Sequence, residues 1–484
     1  MKMWWSTAAS SLRQPLNVLD FQSVKELKII GKHASTVLVG QLAIMAFGVA
    51  DTVIAGRYSD TALAALSVGS AIYISVYVGL IGIIQALLPI WAEMRGARHH
   101  LAVGQSIRQS LYLCGLISLA GIGALLFPGP LLHWAKIPAA MQGEVQAYLA
   151  VLAVAFVPSL LFRLFSTLNQ ALGKPVLITW LQIGALGVKI PLSIWFVAGG
   201  AGLEPMGAVG CAWATLVVNY LLLLLAVLLL RSHELYLPYR IWARMEKPDW
   251  RQIRAFARLG LPAGLSYMVE VTSFTLMALF IARLGTVAAA SHQIAASMAA
   301  VLYMVPLSLA IACSARVSFW MGAGQPVQAR RVVGLALSLS ALSASTLALL
   351  LWLLSLQIPA WYSRNPEVVL TASTLLAWVA LYHLADSLQA VCAFLLRCYR
   401  ITLMPLLIYS VLLWGFGLAG GYFLAYVGTA VVPASQLPAS FWSAATLALA
   451  AVACCFLTLL WRASKQALST PSSADLQEVT ARAR

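Results

Sequence analysis

The chain has 484 residues, of which 61% are hydrophobic and 10% charged, and its 31 Lys and Arg against 15 Asp and Glu give a net charge of +16. A mean hydropathy of +0.87 excludes a soluble globule, in which about a quarter of residues carry charge. Apolar runs of around 20 residues or more exclude a β-barrel, whose strands are about 10 residues long and alternate in polarity, and leave an all-α integral membrane protein.

Residues 1–33 scatter Lys2, Arg13, Lys25, Lys28 and Lys32 among polar residues and lack the apolar core and small-residue cleavage site of a signal peptide, so they are expected to form a cytoplasmic arm. Six spans are predicted next, at about 34–56, 62–94, 105–127, 143–171, 176–199 and 206–231. The basic, Pro-containing stretch SHELYLPYRIWARMEKPDWRQI then begins a cytoplasmic linker assigned to 232–257. Six more spans are predicted at about 258–283, 288–320, 330–357, 366–398, 402–426 and 439–462, before a tail, 463–484, expected to be flexible. If the first span runs outward and the spans alternate, 24 Lys and Arg fall inside, four fall in outside loops and three lie within spans. This positive-inside bias predicts both termini in the cytoplasm and makes a nucleic-acid partner unnecessary as an explanation of the charge. The seven cysteines lie in or at the ends of apolar runs with no metal-ligand spacing, so no disulfide framework is expected.

The chain repeats itself. Gly56 to Ala97 aligns without a gap on Ala282 to Ala323 at an offset of 226, pairing Arg57 with Arg283 and Gly96-Ala97 with Gly322-Ala323, and the same offset carries Lys174 onto Arg400. Two six-span halves, 34–231 and 258–462, share one topology and can be related by an axis along the membrane normal. That plan leaves a cleft between lobes and permits alternating access.

Three acids stand well inside spans: Asp51, Glu270 and Asp386. An Asp at the centre of a membrane helix costs about 3 kcal/mol, so such residues default to a functional role. They can bind a cation, take a proton, or do each in turn. The structural alternative is neutralisation by Arg163, Lys189 or Arg316, the three basic residues within spans. Tyr382, four residues before Asp386, shares its helical face and can donate a hydrogen bond toward it. Lys189, in GVKIPLSIWF, must snorkel, lose its proton or pair with an acid, and pairing with Asp51 is the preferred expectation. His292 and Gln293 either line a polar track or, for His292, form a neutral hydrogen-bonded packing site. Gln41, on the first span, completes the candidate set.

Read together, VADTVIAGRYSDTALAALSVGSA, ALGKP at 171–175, GAVGCAWAT at 207–215, GLPAGLSYMVEV at 260–271, AASHQIA at 289–295 and YHLADSLQAVCAFLLRCYR at 382–400 resemble the multidrug and toxic compound extrusion (MATE) transporters, the NorM-like bacterial branch in particular. The resemblance runs from about Gly31 to Arg462. It implies two six-helix bundles forming a V in the bacterial inner membrane, a monomer with no cofactor, and export of small organic cations in exchange for protons or sodium ions. It also implies that Asp51 is the family's first-helix acid, and that Glu270 and Asp386 are its carboxylates in the second lobe, with Tyr382 and Gln293 beside them and sodium near the two acids. Two departures stand out. Thr36 replaces a usual Pro whose repeat mate, Pro262, is kept, and the family pattern NxPLN reads KIPLS, so that Lys189 and Ser193 replace two asparagines associated with cation handling. A fixed ammonium beside Asp51 would compete with sodium. A lipid-linked saccharide flippase of the same broader superfamily is the alternative. It would need many cationic residues along the cleft, where the spans hold only Arg163, Lys189 and Arg316. An intramembrane enzyme would need DxxxD- or HxxxH-type clusters, and none occurs.

Overall fold

In a bilayer the backbone has no water to bond, so long apolar runs must satisfy their N–H and C=O groups internally, as helices. The computed structural model describes residues 21–129, 138–200, 202–428 and 433–469, and among them are twelve helices long and apolar enough to cross a membrane. The first six are α1 (Phe21–Tyr58), α2 (Asp60–Gly96), α3 (His100–Leu126), α4 (Ala139–Ala171), α5 (Val176–Ala198) and α6 (Ala208–Ser232). The second six are α7 (Trp250–Ala282), α8 (Thr286–Gly322), α9 (Pro326–Leu353), α10 (Pro366–Cys398), α11 (Leu403–Val427) and α12 (Ala439–Ser469). Each predicted span falls on one of them. Helix α2 breaks at Ala86-Leu87, where Pro89 opens the second segment and withholds a backbone donor. Much of α11 winds in the wider π geometry, over Ser410–Ala419 and Phe423–Val427.

The ends differ from the sequence reading. Helix α1 starts at Phe21, inside the stretch assigned to a polar arm, because Glu26, Ile30, His33 and Val37 form a buried stripe at helical spacing. Helix α7 starts at Trp250, capped by Asp249, whose carboxylate accepts the backbone N–H groups of Arg251 and Gln252. Helix α12 runs on to Ser469. The rest of the expected arm, 1–20, and of the expected tail, 470–484, lies outside the described residues.

Helices α1–α6 and α7–α12 pack as two bundles. In the first, α4 touches α2, α3 and α6 and is the most buried span; in the second, its repeat mate α10 takes the same place against α8, α9 and α12. The bundles meet reciprocally, α1 against α8 and α7 against α2, with the second segment of α2 also crossing α8. At that crossing the repeat becomes physical. A Cβ on Gly96 would strike the carbonyl of Phe319, and a Cβ on Gly322 would strike the carbonyl of Glu93, and Glu93 and Phe319 are themselves repeat mates. Two ion pairs flank the junction: Arg316 grips Glu26 through Nε (2.6 Å) and Nη2 (2.5 Å), and Arg400 reaches Glu93 Oε2 at 2.5 Å.

The segment between the bundles is docked rather than merely lying on the surface. Tyr236 and Tyr239 are buried, and three residues of one α3 face hold the chain. Arg108 donates to both carboxylate oxygens of Glu246, to Oε2 at 2.7 Å, and to the Arg240 carbonyl at 2.8 Å. Gln109 donates to the Lys247 carbonyl at 3.0 Å and accepts from the Asp249 N–H at 2.8 Å, while the Tyr112 hydroxyl donates to the Glu246 carbonyl at 2.8 Å. The Arg108 guanidinium holds the Glu246 carboxyl below the ordinary glutamate value.

Candidate functional site

In the first bundle, three helices converge on one carboxylate. Pro191 sits inside α5 between Lys189 and Ser193, which are four residues apart and therefore share a face. That face meets α1 at Asp51. Lys189 Nζ lies 2.9 Å from Asp51 Oδ2, and Ser193 Oγ donates to Oδ1 at 3.1 Å. From α6, Thr215 accepts a second hydrogen bond from Lys189 Nζ at 2.7 Å and its own hydroxyl donates to the Cys211 carbonyl at 2.9 Å. The ring of Phe47, one turn before Asp51, lies 5.9 Å from the ammonium. Lys189 is 1% exposed and Ser193 fully buried, so the lysine does not snorkel. Gln41 is half-buried and ten residues up α1, about 15 Å along the helix axis, and takes no part in this cluster.

The second bundle gathers its carboxylates differently. Glu270 on α7 lines a narrow cavity of about 20 Å³, room for about one water, whose walls come only from α7, α8, α10, α11 and the α10–α11 turn. Asp386 on α10 is buried. Its hydrogen-bond donor is Gln389 Nε2 at 3.0 Å, one turn on, and the Tyr409 hydroxyl donates in turn to Gln389 Oε1. The bond expected from Tyr382 is not the one formed among the described residues. The buried Tyr382 ring instead meets Phe274 and Trp442 edge to face, at 5.8 and 5.6 Å. His292 accepts from Trp442 Nε1 at 3.3 Å through Nδ1, which assigns its proton to Nε2 and makes it a neutral packing residue. Gln293 is exposed on α8, away from that contact.

Of the three basic residues read within spans, Lys189 pairs with Asp51 and Arg316 with Glu26. Arg163 is buried with its Nε unpartnered and meets no carboxylate among the described residues. Sequence reasoning missed Thr215 and Cys211, whose spacing in GAVGCAWAT carries a shared face, and Gln389, three residues past Asp386. It also missed Arg397. That residue stands in the last turn of α10, where a basic side chain reads as an interfacial anchor, yet it is buried in the Glu270 cavity. No group of three or more His, Cys, Asp or Glu that could hold a metal ion occurs among the described residues.

Comparison with known proteins gives the same picture by an independent route. The family model MatE matches this chain in two stretches, residues 37–195 and 262–423, in step with the repeat. The chain is 38% identical over 416 residues to "Probable multidrug resistance protein NorM" of Aromatoleum aromaticum, covering 86% of this chain and 90% of that one. It is 31% identical over 442 residues to "Multidrug resistance protein PmpM" of Pseudomonas aeruginosa, covering 91% and 92%. Its fold matches the crystal structure of the eukaryotic MATE transporter AtDTX14 with a TM-score of 0.81 at 18% identity, covering 92% of this chain and 98% of that one. It also matches a MATE crystal structure in the straight conformation with a TM-score of 0.82 at 14% identity, covering 92% and 97%.

Proposed function

The chain belongs to the MatE family and is a multidrug efflux transporter of the bacterial inner membrane, and from that premise we propose that it is a proton-coupled antiporter exporting lipophilic organic cations, with both termini in the cytoplasm. The observation that carries the proton assignment is the 2.9 Å pair of Lys189 with Asp51. Both carboxylate oxygens are engaged, one by an ammonium and one by a hydroxyl. A sodium ion at Asp51 has to displace a tethered cation already desolvated with its partner, and gains little by doing so. A proton needs no vacancy. Protonating Asp51 removes the attraction that holds α1 to α5, leaves Lys189 on Thr215 alone, and so couples proton uptake to a rearrangement of three helices. Deprotonation restores the pair. In the second bundle Glu270 and Asp386 supply negative charge for a cation in the cleft, and alternation of the two bundles carries it across.

The flippase reading loses support, because two of the three basic residues read within spans, Lys189 and Arg316, are occupied by acids.

The test is efflux of a cationic dye such as ethidium from proteoliposomes under a proton gradient alone and a sodium gradient alone, for the wild type and Lys189→Asn. Wild-type efflux should follow the proton gradient, and Lys189→Asn should lose proton coupling or gain sodium sensitivity. Identical ion dependence in the two proteins removes Lys189 from the mechanism. Translocation of a lipid-linked sugar with no cation movement replaces the exporter by the flippase.

A further inference from the structure

The segment between the bundles is a strap held from inside by α3, and the depth at which α3 holds it is fixed by the helix. No charged or amide side chain follows Gln109 on α3, and from Arg108 to its end at Leu126 the helix rises about 27 Å, close to the hydrocarbon thickness of about 30 Å. Arg108 and Gln109 therefore mark the level at which the apolar layer begins, and the stretch they grip, Arg240 to Asp249, lies at the level of the headgroups. The side chains of the strap sort by direction. Tyr236 and Tyr239 turn inward and are buried, whereas Leu237, Trp242, Met245 and Trp250 are exposed. Trp242 Nε1 donates to the Leu230 carbonyl at 3.1 Å and its ring lies 5.0 Å from the Arg231 guanidinium, so the polar atom of the indole is satisfied while half of its body still faces out. Arg240, Arg244, Lys247, Arg251 and Arg254 are exposed between these apolar side chains. Of the nearby acids, Glu246 is taken by Arg108, and Asp249 turns to the first N–H groups of α7.

We propose that this outward face is a docking surface for the anionic phospholipids of the cytoplasmic leaflet, with Arg244, Lys247 and Arg251 against headgroup phosphates and Leu237, Trp242 and Met245 beneath them at the top of the acyl chains. The choice of leaflet rests on the orientation proposed above. Charge and polarity together name the occupant. A soluble acidic partner answers the cations and leaves the exposed Leu, Trp and Met wet; a neutral lipid covers those and leaves the cations unanswered. An anionic amphiphile does both. The bonds from α3 already fix the backbone of the strap, so lipid meets a surface whose ordering cost has been met in folding.

The test is equilibrium binding of radioactive, short-chain phosphatidylglycerol and, separately, phosphatidylcholine to the purified full chain in detergent, a readout that depends neither on transport nor on which side the strap faces. Wild type should bind phosphatidylglycerol about tenfold more tightly than phosphatidylcholine, or better. The triple variant Arg244→Gln, Lys247→Gln, Arg251→Gln should lose most of that preference, since one cation beside an anionic surface is worth about fivefold. A second triple variant, Lys25→Gln, Lys28→Gln, Lys32→Gln, removes the same charge from exposed positions at the start of α1 and should keep the preference. Equal affinity of the wild type for the two lipids overturns the proposal. So does an equal loss in the two triple variants, which would assign the effect to the overall basic charge of the chain and not to the strap. Absence of proton-driven dye efflux would count against the antiporter reading and leave the lipid measurement standing.

Discussion

A lysine buried in a membrane bundle is tolerable only with a partner, and Lys189 has two, Asp51 and Thr215. The two ends of the ion pair should fail unequally. Asp51→Asn leaves an ammonium buried with a hydroxyl and an amide, and is expected to cost about 3 kcal/mol. Lys189→Asn leaves a carboxyl that can neutralise itself by taking a proton, and should cost less, while Asp51→Asn with Lys189→Asn should recover most of the loss. Thermal unfolding of the three proteins in detergent checks the order, and an Asp51→Asn protein as stable as wild type contradicts it. In the second bundle, Glu270→Gln and Asp386→Asn are each expected to abolish coupled export without lowering expression, since a neutral isostere removes charge and an insertion cost together. Efflux at the wild-type rate in both variants would show that these acids do not couple transport. The sequence made the acids legible because a charge in an apolar run is conspicuous. It hid Arg397, because the last turn of a span and the wall of a cavity are indistinguishable until helices pack, and it offered Tyr382 to Asp386 where Gln389 competes from the opposite turn with better reach.

Among the helices, hydropathy located the long apolar parts and missed their more polar continuations. The start of α1 is amphipathic, and its stripe of Glu26, Ile30, His33 and Val37 is legible by period though not by mean hydropathy. The Asp249 cap was likewise open to view in KPDWRQI. The Gly96 and Gly322 pairs show the converse: the repeat made them conspicuous, but only the crossing of α2 and α8 explains why neither tolerates a side chain. Gly322→Ala is expected to push α8 off α2 and to destabilise by about 1–3 kcal/mol, the ordinary cost of overpacking. Gly334→Ala on α9, where nothing lies within 4 Å of the added carbon, should be near neutral. Unfolding temperatures of the two variants distinguish crowding at the crossing from a general intolerance of alanine.

Across the whole molecule, the two bundles are held together at the α2–α8 junction by charges of unequal exposure. Glu26 and Arg316 have side chains 11% and 16% exposed, whereas Glu93 and Arg400 stand at 41% and 43%. An exposed pair contributes about 0–1 kcal/mol and is screened by salt. Glu26→Gln leaves the Arg316 guanidinium against Phe319 and Trp320, both 4.9 Å away, without its carboxylate. It should therefore loosen this junction more than Arg400→Gln. Distances between spin labels placed on α1 and α8 are expected to lengthen or broaden in the first variant and to stay near wild type in the second; equal responses would mean that exposure does not rank the two clamps. The docked linker has a separate consequence, for how the chain can be divided. Because Arg108, Gln109 and Tyr112 bind it from Arg240 to Asp249, with Gln109 gripping the chain on both sides of Pro248, the segment belongs to the first bundle. A gene split after Lys247 would leave the strap on the first polypeptide and give up only the Gln109 bond to Asp249, whereas a split at Ser232 would strip the first of the strap that covers α3.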